Sequence, residues 1–213
     1  GLAVKGNLAG TSAFNNVTFA TGTIAVYENA STSDFVISST ATSSASTTAS
    51  IDIDISGDFT NNGTLVASTS EFIFSGGNQA ISANATTTFY DFTAATTSAR
   101  TLTFTSGEEY VFEGTLTLSG ADGQLTSLDA STPGTEYYFR PYGTADVSYL
   151  DVQDSFNISA TTTDIDCSTA CTDGTNNSGW SFPAAIYTTL GNASTTDPVA
   201  FTIAPGSTAT VTN

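Results

Sequence analysis

The chain has 213 residues, 39% of them hydrophobic, with 20 acidic side chains against 3 basic ones, a net charge of −17 and no histidine. That length can bury a core within one elongated domain, and that hydrophobic share sets the chain apart from disordered polar ones. Lys5, Arg100 and Arg140 are the whole basic complement, so neither a nucleic-acid surface nor a patch for anionic membranes can be assembled. Without histidine the Ser-His-Asp and Cys-His arrangements are unavailable as well.

Met is absent, no window carries the helical i, i+3, i+4, i+7 apolar pattern, and Thr, Val, Ile, Tyr and Phe favour strands, so an all-β fold is expected. In chain order, strands are expected near residues 2–4, 17–19, 23–27 and 35–37. Residues 38–50 consist of Ser, Thr and Ala and read as a loop or a weakly packed edge. Ile51-Asp52-Ile53-Asp54-Ile55 alternates strictly, which predicts a half-buried strand with an acidic outer row.

From residue 59 onward the spacing grows regular. Inward candidates are Phe59, Leu65, Phe72, Phe74, Ile81, Phe89, Phe92, Leu102, Phe104, Tyr110, Phe112, Leu116 and Leu118. They continue through Leu125, Leu128, Tyr137, Phe139, Val147, Tyr149, Leu150, Val152 and Ile165. Turn signals such as Asn62-Gly63, Gly76-Gly77, Asp122-Gly123 and Pro133-Gly134 separate them. Short strands at such intervals imply a sandwich, a barrel or a solenoid. Asn-Gly and Asp-Gly suit tight antiparallel hairpins. The recurrence of Gly-x-apolar openings and apolar-x-apolar strands favours stacked coils instead.

Several segments carry a resemblance: Gly57-Asp58-Phe59-Thr60-Asn61-Asn62-Gly63-Thr64-Leu65, Thr88-Phe89-Tyr90-Asp91-Phe92 and Thr101-Leu102-Thr103-Phe104. Gly114-Thr115-Leu116-Thr117-Leu118-Ser119-Gly120, residues 143–152 and Asn176-Asn177-Ser178-Gly179-Trp180 belong with them. Residues 55–182 thereby resemble secreted bacterial β-solenoid cell-surface proteins. The resemblance implies a right-handed parallel β-helix of the pectate-lyase-like kind and brings no catalytic residues with it. A jelly-roll β-sandwich with a donated strand is the alternative architecture. The expected organisation is an N-terminal β region (1–54), a solenoid body (55–182), and a linker with a C-terminal extension strand (183–213). Trp180 and Phe182 read either as a closing cap on the stack or as ordinary core aromatics.

The candidate sites are modest. Cys167 and Cys171 are spaced for a small disulfide loop, as in a secreted protein; a metal site or a redox pair are the rival readings. Asn16, Asn29, Asn62, Asn84, Asn157, Asn176 and Asn192 head Asn-x-Ser/Thr sequons and read either as glycan acceptors or as plain turn residues. Asp164, Asp166 and Asp173, with Asn176 and Asn177 nearby, are the best oxygen-ligand candidates for Ca²⁺, the one cofactor the sequence leaves room for. Solvated acidic faces are the alternative. In Tyr137-Tyr138-Phe139-Arg140-Pro141-Tyr142 an aromatic row beside a charge could stack sugars; the plainer reading puts Tyr137 and Phe139 in the core and leaves Tyr138 and Arg140 to cover the surface.

The chain begins Gly1-Leu2-Ala3-Val4 without an initiator Met, as expected of a processed protein or a segment of a longer one. No run of about 18 apolar residues is present, so no transmembrane helix is expected. The function expected is that of a non-catalytic, extracellular, cell-surface structural subunit. It would assemble with copies of itself into a filament, sheath or surface layer through its terminal strands, Leu2 and Val4 at one end and Val199, Phe201 and Ile203 at the other. The alternative is a carbohydrate-binding or adhesive module, with Tyr90, Tyr138 and Tyr142 as exposed aromatics.

Overall fold

The computed structural model describes residues 12–45, 50–159 and 164–183. These residues form strands, turns and bends, with no helix among them. The first strands are β1 (Ser12–Phe19), β2 (Gly22–Val26), β3 (Ala30–Ile37) and β4 (Ala41–Ala45). Triplets then follow one another: β5 (Asp52–Ile55), β6 (Phe59–Asn61) and β7 (Thr64–Val66); β8 (Glu71–Phe74), β9 (Gln79–Ala83) and β10 (Thr87–Phe89). Next come β11 (Asp91–Ala95), β12 (Arg100–Phe104) and β13 (Glu109–Phe112); then β14 (Thr115–Ser119), β15 (Thr126–Ala130) and β16 (Tyr137–Pro141). The last strands are β17 (Thr144–Ser148), β18 (Leu150–Gln153), β19 (Ser155–Asn157), β20 (Ile165–Asp166), β21 (Thr172–Thr175) and β22 (Trp180–Ser181).

Every pairing between these strands is parallel, and from β5 to β16 each strand except β7 pairs with the third one after it. A 13-stranded sheet forks at the long strand β3. One wing runs β5-β8-β11-β14-β17 and the other β6-β9-β12-β15-β18-β21, while β1 lies beside β3. The third face consists of β2-β4-β7 and β10-β13-β16-β19. The pairing runs through position 54 without a break, because β3 meets both β5 and β6 and β4 meets β7.

Period-two alternation explains why these segments are strands. Parallel register then stacks like residues on like. Ile53, Phe72, Phe92 and Leu116 follow one another along the first wing. Phe35, Phe59, Ile81, Phe104 and Ala130 do so along the second. All of these are buried, and the inward residues of the three faces merge into one core. Phe89 stands at its middle, its ring 5.2 Å from those of Phe72 and Phe92 and 5.3 Å from that of Phe59. Tilted and edge-on contacts of this kind add to the burial of the rings themselves.

The turns depend on small residues where backbones cross closely. A Cβ on Gly143 would lie 1.8 Å from the Gly114 carbonyl oxygen, and one on Gly76 would lie 2.0 Å from that of Ser56. Polar side chains tie one rung to the next. Asp34 accepts the N–H of Asp58 at 3.0 Å, Asp58 that of Ala80 at 2.8 Å, and Asn78 that of Thr101 at 2.9 Å. Inside the bends, Gln79 Nε2 donates to the carbonyls of Ile55 and Gly57. Arg100 Nη1 does the same one rung later, to Phe74 at 2.8 Å and Gly76 at 2.9 Å. The side chain of Arg100 is only 4% exposed, and burial lowers its pKa.

Three expectations need correction. Of residues 38–50, expected as a loop or a weakly packed edge, 41–45 form strand β4, the middle strand of β2-β4-β7, with Ala41, Ser43 and Ala45 facing inward. Their side chains are too small to show a hydrophobic signal. Asn-Gly and Asp-Gly do not make hairpins between the named strands; among the described residues the antiparallel bridge is Ala121–Gln124, around Asp122-Gly123. Leu125 and Tyr149 are only half-buried. Thr126 takes the inward place that opens β15, and Tyr149 forms a single-residue corner between β17 and β18 with φ 55°. There the alternation restarts.

Candidate functional site

The outward face of β10, β13, β16 and β19 gathers the groups best suited to touch another molecule. Tyr137 and Phe139 point into the core with no exposure, so alternation turns Tyr138 and Arg140 outward. Register supplies their neighbours. Glu109, Tyr138 and Phe156 form one row, while Thr88, Val111 and Arg140 form the next. The Tyr138 and Phe156 rings meet edge-on, 6.2 Å apart at 83°, as the floor and wall of a corner.

Arg140 Nε donates to Glu109 Oε1, and the two side chains are 27% and 24% exposed. The bond to Glu109, more than any other contact, holds the Arg140 guanidinium above its ordinary pKa, and the Tyr142 phenol adds to the effect. Tyr142 itself is 55% exposed. Thr86 Oγ1 lies 3.5 Å from Glu109 Oε2. One strand away, a groove of about 260 Å³ is lined by Val66, Ser68, Thr88, Tyr90 and Glu113, and Thr88 belongs to both places.

The residues expected from sequence are scattered. Cys167 and Cys171 stand at disulfide distance, Cα to Cα 5.7 Å, and both are buried under the last rung. The Ser168 hydroxyl, and after it the Ser168 N–H at 3.0 Å, bond Asp166 and lower its pKa, and Asp173 accepts from Asn177 at 2.8 Å. Asp164 is exposed. Among the described residues no three Asp, Glu, Cys or His side chains converge as a metal-holding group.

Of the sequons, Asn62 and Asn84 are exposed on successive turns, because Asn61 pairs with Ala83. The amides of Asn29, Asn157 and Asn176 donate to Asp52, Gly179 and Asp154 respectively. Asn16 is exposed, and its side-chain oxygen faces the Asp34 N–H. Asn192, Leu2, Val4, Val199, Phe201 and Ile203 lie outside the described residues. Trp180 is 8% exposed and packs on Phe139, its Nε1 donating to Ser155 at 3.2 Å, with Phe182 stacked beyond it.

Glu109 and Phe156 carried no sequence signal of their own. They join Tyr138 and Arg140 only through parallel register; Glu109 lies 31 residues before Arg140. Comparison with protein-family models, curated proteins and solved structures returns no match.

Proposed function

We propose that the chain is a non-catalytic, extracellular structural subunit, wound as a right-handed parallel β-helix, that assembles with copies of itself into a filament, sheath or surface layer. The observation that carries this reading is the parallel stacking of strand on strand, in which similar faces follow one another and, among the described residues, strands stand at the ends of the large sheet. An edge strand that has no neighbour in its own chain offers backbone N–H and C=O groups that another strand can complete. The carboxylates fit the same picture: Asp34 and Asp58 serve as clips between rungs, a structural use of acidic side chains. Donation of residues 199–203 to a neighbouring copy would close one end.

Light scattering and negative-stain microscopy on purified protein, with and without Ca²⁺, test this. Regular filaments or sheets are expected, and removal of residues 197–213 should leave a folded monomer. A monodisperse monomer under every condition would overturn the assembly reading. A second reading, an adhesive module of a larger surface protein, is favoured by one observation, the aromatic corner beside the Arg140–Glu109 pair.

A further inference from the structure

We propose that the corner formed by Tyr138, Phe156, Arg140 and Glu109 is a binding site for neutral oligosaccharides, one pyranose ring lying on the Tyr138 ring. The proposal rests on the adhesive reading and gives it a place and a ligand class.

A pyranose has an apolar C–H face and a rim of hydroxyls that both donate and accept hydrogen bonds. The site supplies a match for each. Tyr138 and Phe156 meet edge-on at 6.2 Å, so a flat ring laid on one is walled by the other. Val111 in the neighbouring row is only 7% exposed and so backs the corner with apolar packing rather than open surface. At the rim, Arg140 commits its Nε to Glu109, which leaves its Nη groups as donors, and the second oxygen of Glu109 keeps a lone pair for a ligand beside its 3.5 Å contact with Thr86 Oγ1. The exposed phenol of Tyr142 can do either. Aromatic floors with a few placed polar groups are the usual form of a small-molecule site.

Charge narrows the class. The net charge of −17 repels uronates and sulfated sugars over the whole surface. At the corner itself Arg140 and Glu109 offset one another, so the local field favours neither a cation nor an anion. Neutral sugars are left.

Length narrows it further. Thr88 joins the corner to the groove that holds Tyr90 and Glu113; Tyr90 lies two strand spacings across from Tyr138 and four residues further along the strands, or about 16 Å away. A chain of sugars reaches both aromatics, whereas a single ring reaches one. Affinity therefore rises from monosaccharide to tetrasaccharide.

The test is titration calorimetry on the full chain with neutral gluco-, manno- and chito-tetraoses, their monosaccharides, and tetragalacturonate. At least one neutral tetraose should bind, its monosaccharide should bind more weakly, and tetragalacturonate should not bind. Tyr138→Ala should weaken Kd at least about tenfold. Phe156→Ala should act in the same direction, and an unchanged circular dichroism spectrum and melting point would show that both variants are folded. Neutral sugars bound equally well by wild type and Tyr138→Ala would move the site elsewhere and leave the adhesive reading standing. Binding of tetragalacturonate alone would overturn the ligand class. No binding of any sugar would overturn both the site and the adhesive reading.

Discussion

Replacing Arg100 tests whether its buried charge stabilises the stack or merely survives in it. Arg100→Met keeps most of the apolar stem and removes the bonds from Nη1 to the carbonyls of Phe74 (2.8 Å) and Gly76 (2.9 Å). A hydrogen bond from a charged donor contributes about 1.5–3 kcal/mol net, and a buried carbonyl left without a partner costs about 1–3 kcal/mol. The Phe74 carbonyl is the more deeply placed of the two, so most of the loss falls there. Against this stands a gain, because Nε and Nη2 are buried without hydrogen-bond partners and the variant no longer has to dehydrate them. The expected balance is a destabilisation of about 2–4 kcal/mol for Arg100→Met. Arg100→Lys, which keeps a charged donor on a long stem, should lose less than half as much. Urea unfolding followed by circular dichroism measures both. A Met variant as stable as wild type would refute the idea that the carbonyl clip outweighs the dehydrated guanidinium.

Other consequences can be measured on the same footing. Phe89→Ala empties the point where rings of all three faces meet and should cost about 3–5 kcal/mol in urea unfolding. Tyr142→Ala, at an exposed position, should change stability by less than about 0.5 kcal/mol. Burial pushes the Tyr110 phenol up to about 12, and its hydroxyl bonds the Ile81 carbonyl and the Thr105 N–H. A pKa raised on folding adds stability that is fully present below the unfolded value near 10 and is lost as pH rises toward 12. Alkaline titration of the fold should therefore steepen above pH 10, and Tyr110→Phe should flatten it; a curve unchanged by the substitution would contradict this. Tyr137, raised chiefly by burial, contributes in the same sense. Replacing Cys167 and Cys171 by Ser opens a loop whose ends are four residues apart and should cost about 2 kcal/mol, read as a lower urea midpoint.

Much of the core was legible from alternation alone, because a large apolar residue at every second position has one place to go. Phe72, Phe74, Phe104, Leu116 and Leu118 are buried as the spacing predicts. What alternation cannot carry is the partner of each strand. Local turn chemistry at Asn62-Gly63 pointed to hairpins, yet these residues serve a bend between β6 and β7, and β7 finds its neighbour β4 far back in the chain. The strand at 41–45 escaped notice because Ala and Ser fill inward places where Leu65 of the next rung supplies the bulk. The candidate site was half visible. Tyr138, Arg140 and Tyr142 advertise themselves as an aromatic run with a charge. Glu109 and Phe156 become their neighbours only once the coil length is known.

The rung-to-rung clips also determine how the molecule answers a pulling force. Contacts such as Asp54–Ser75 and Asn61–Thr87 join residues 21 to 26 positions apart, so each rung is held chiefly by the one beneath it. A load applied at one end meets a single rung at a time, and each rung freed releases its own length of chain. At roughly 3.5 Å per extended residue, that is a step of about 70–90 Å. Stretched in an optical trap, the protein should lengthen in a staircase of such steps rather than in one rupture. A surface anchored through chains of this kind would yield by increments under shear and recover as each rung finds its template again.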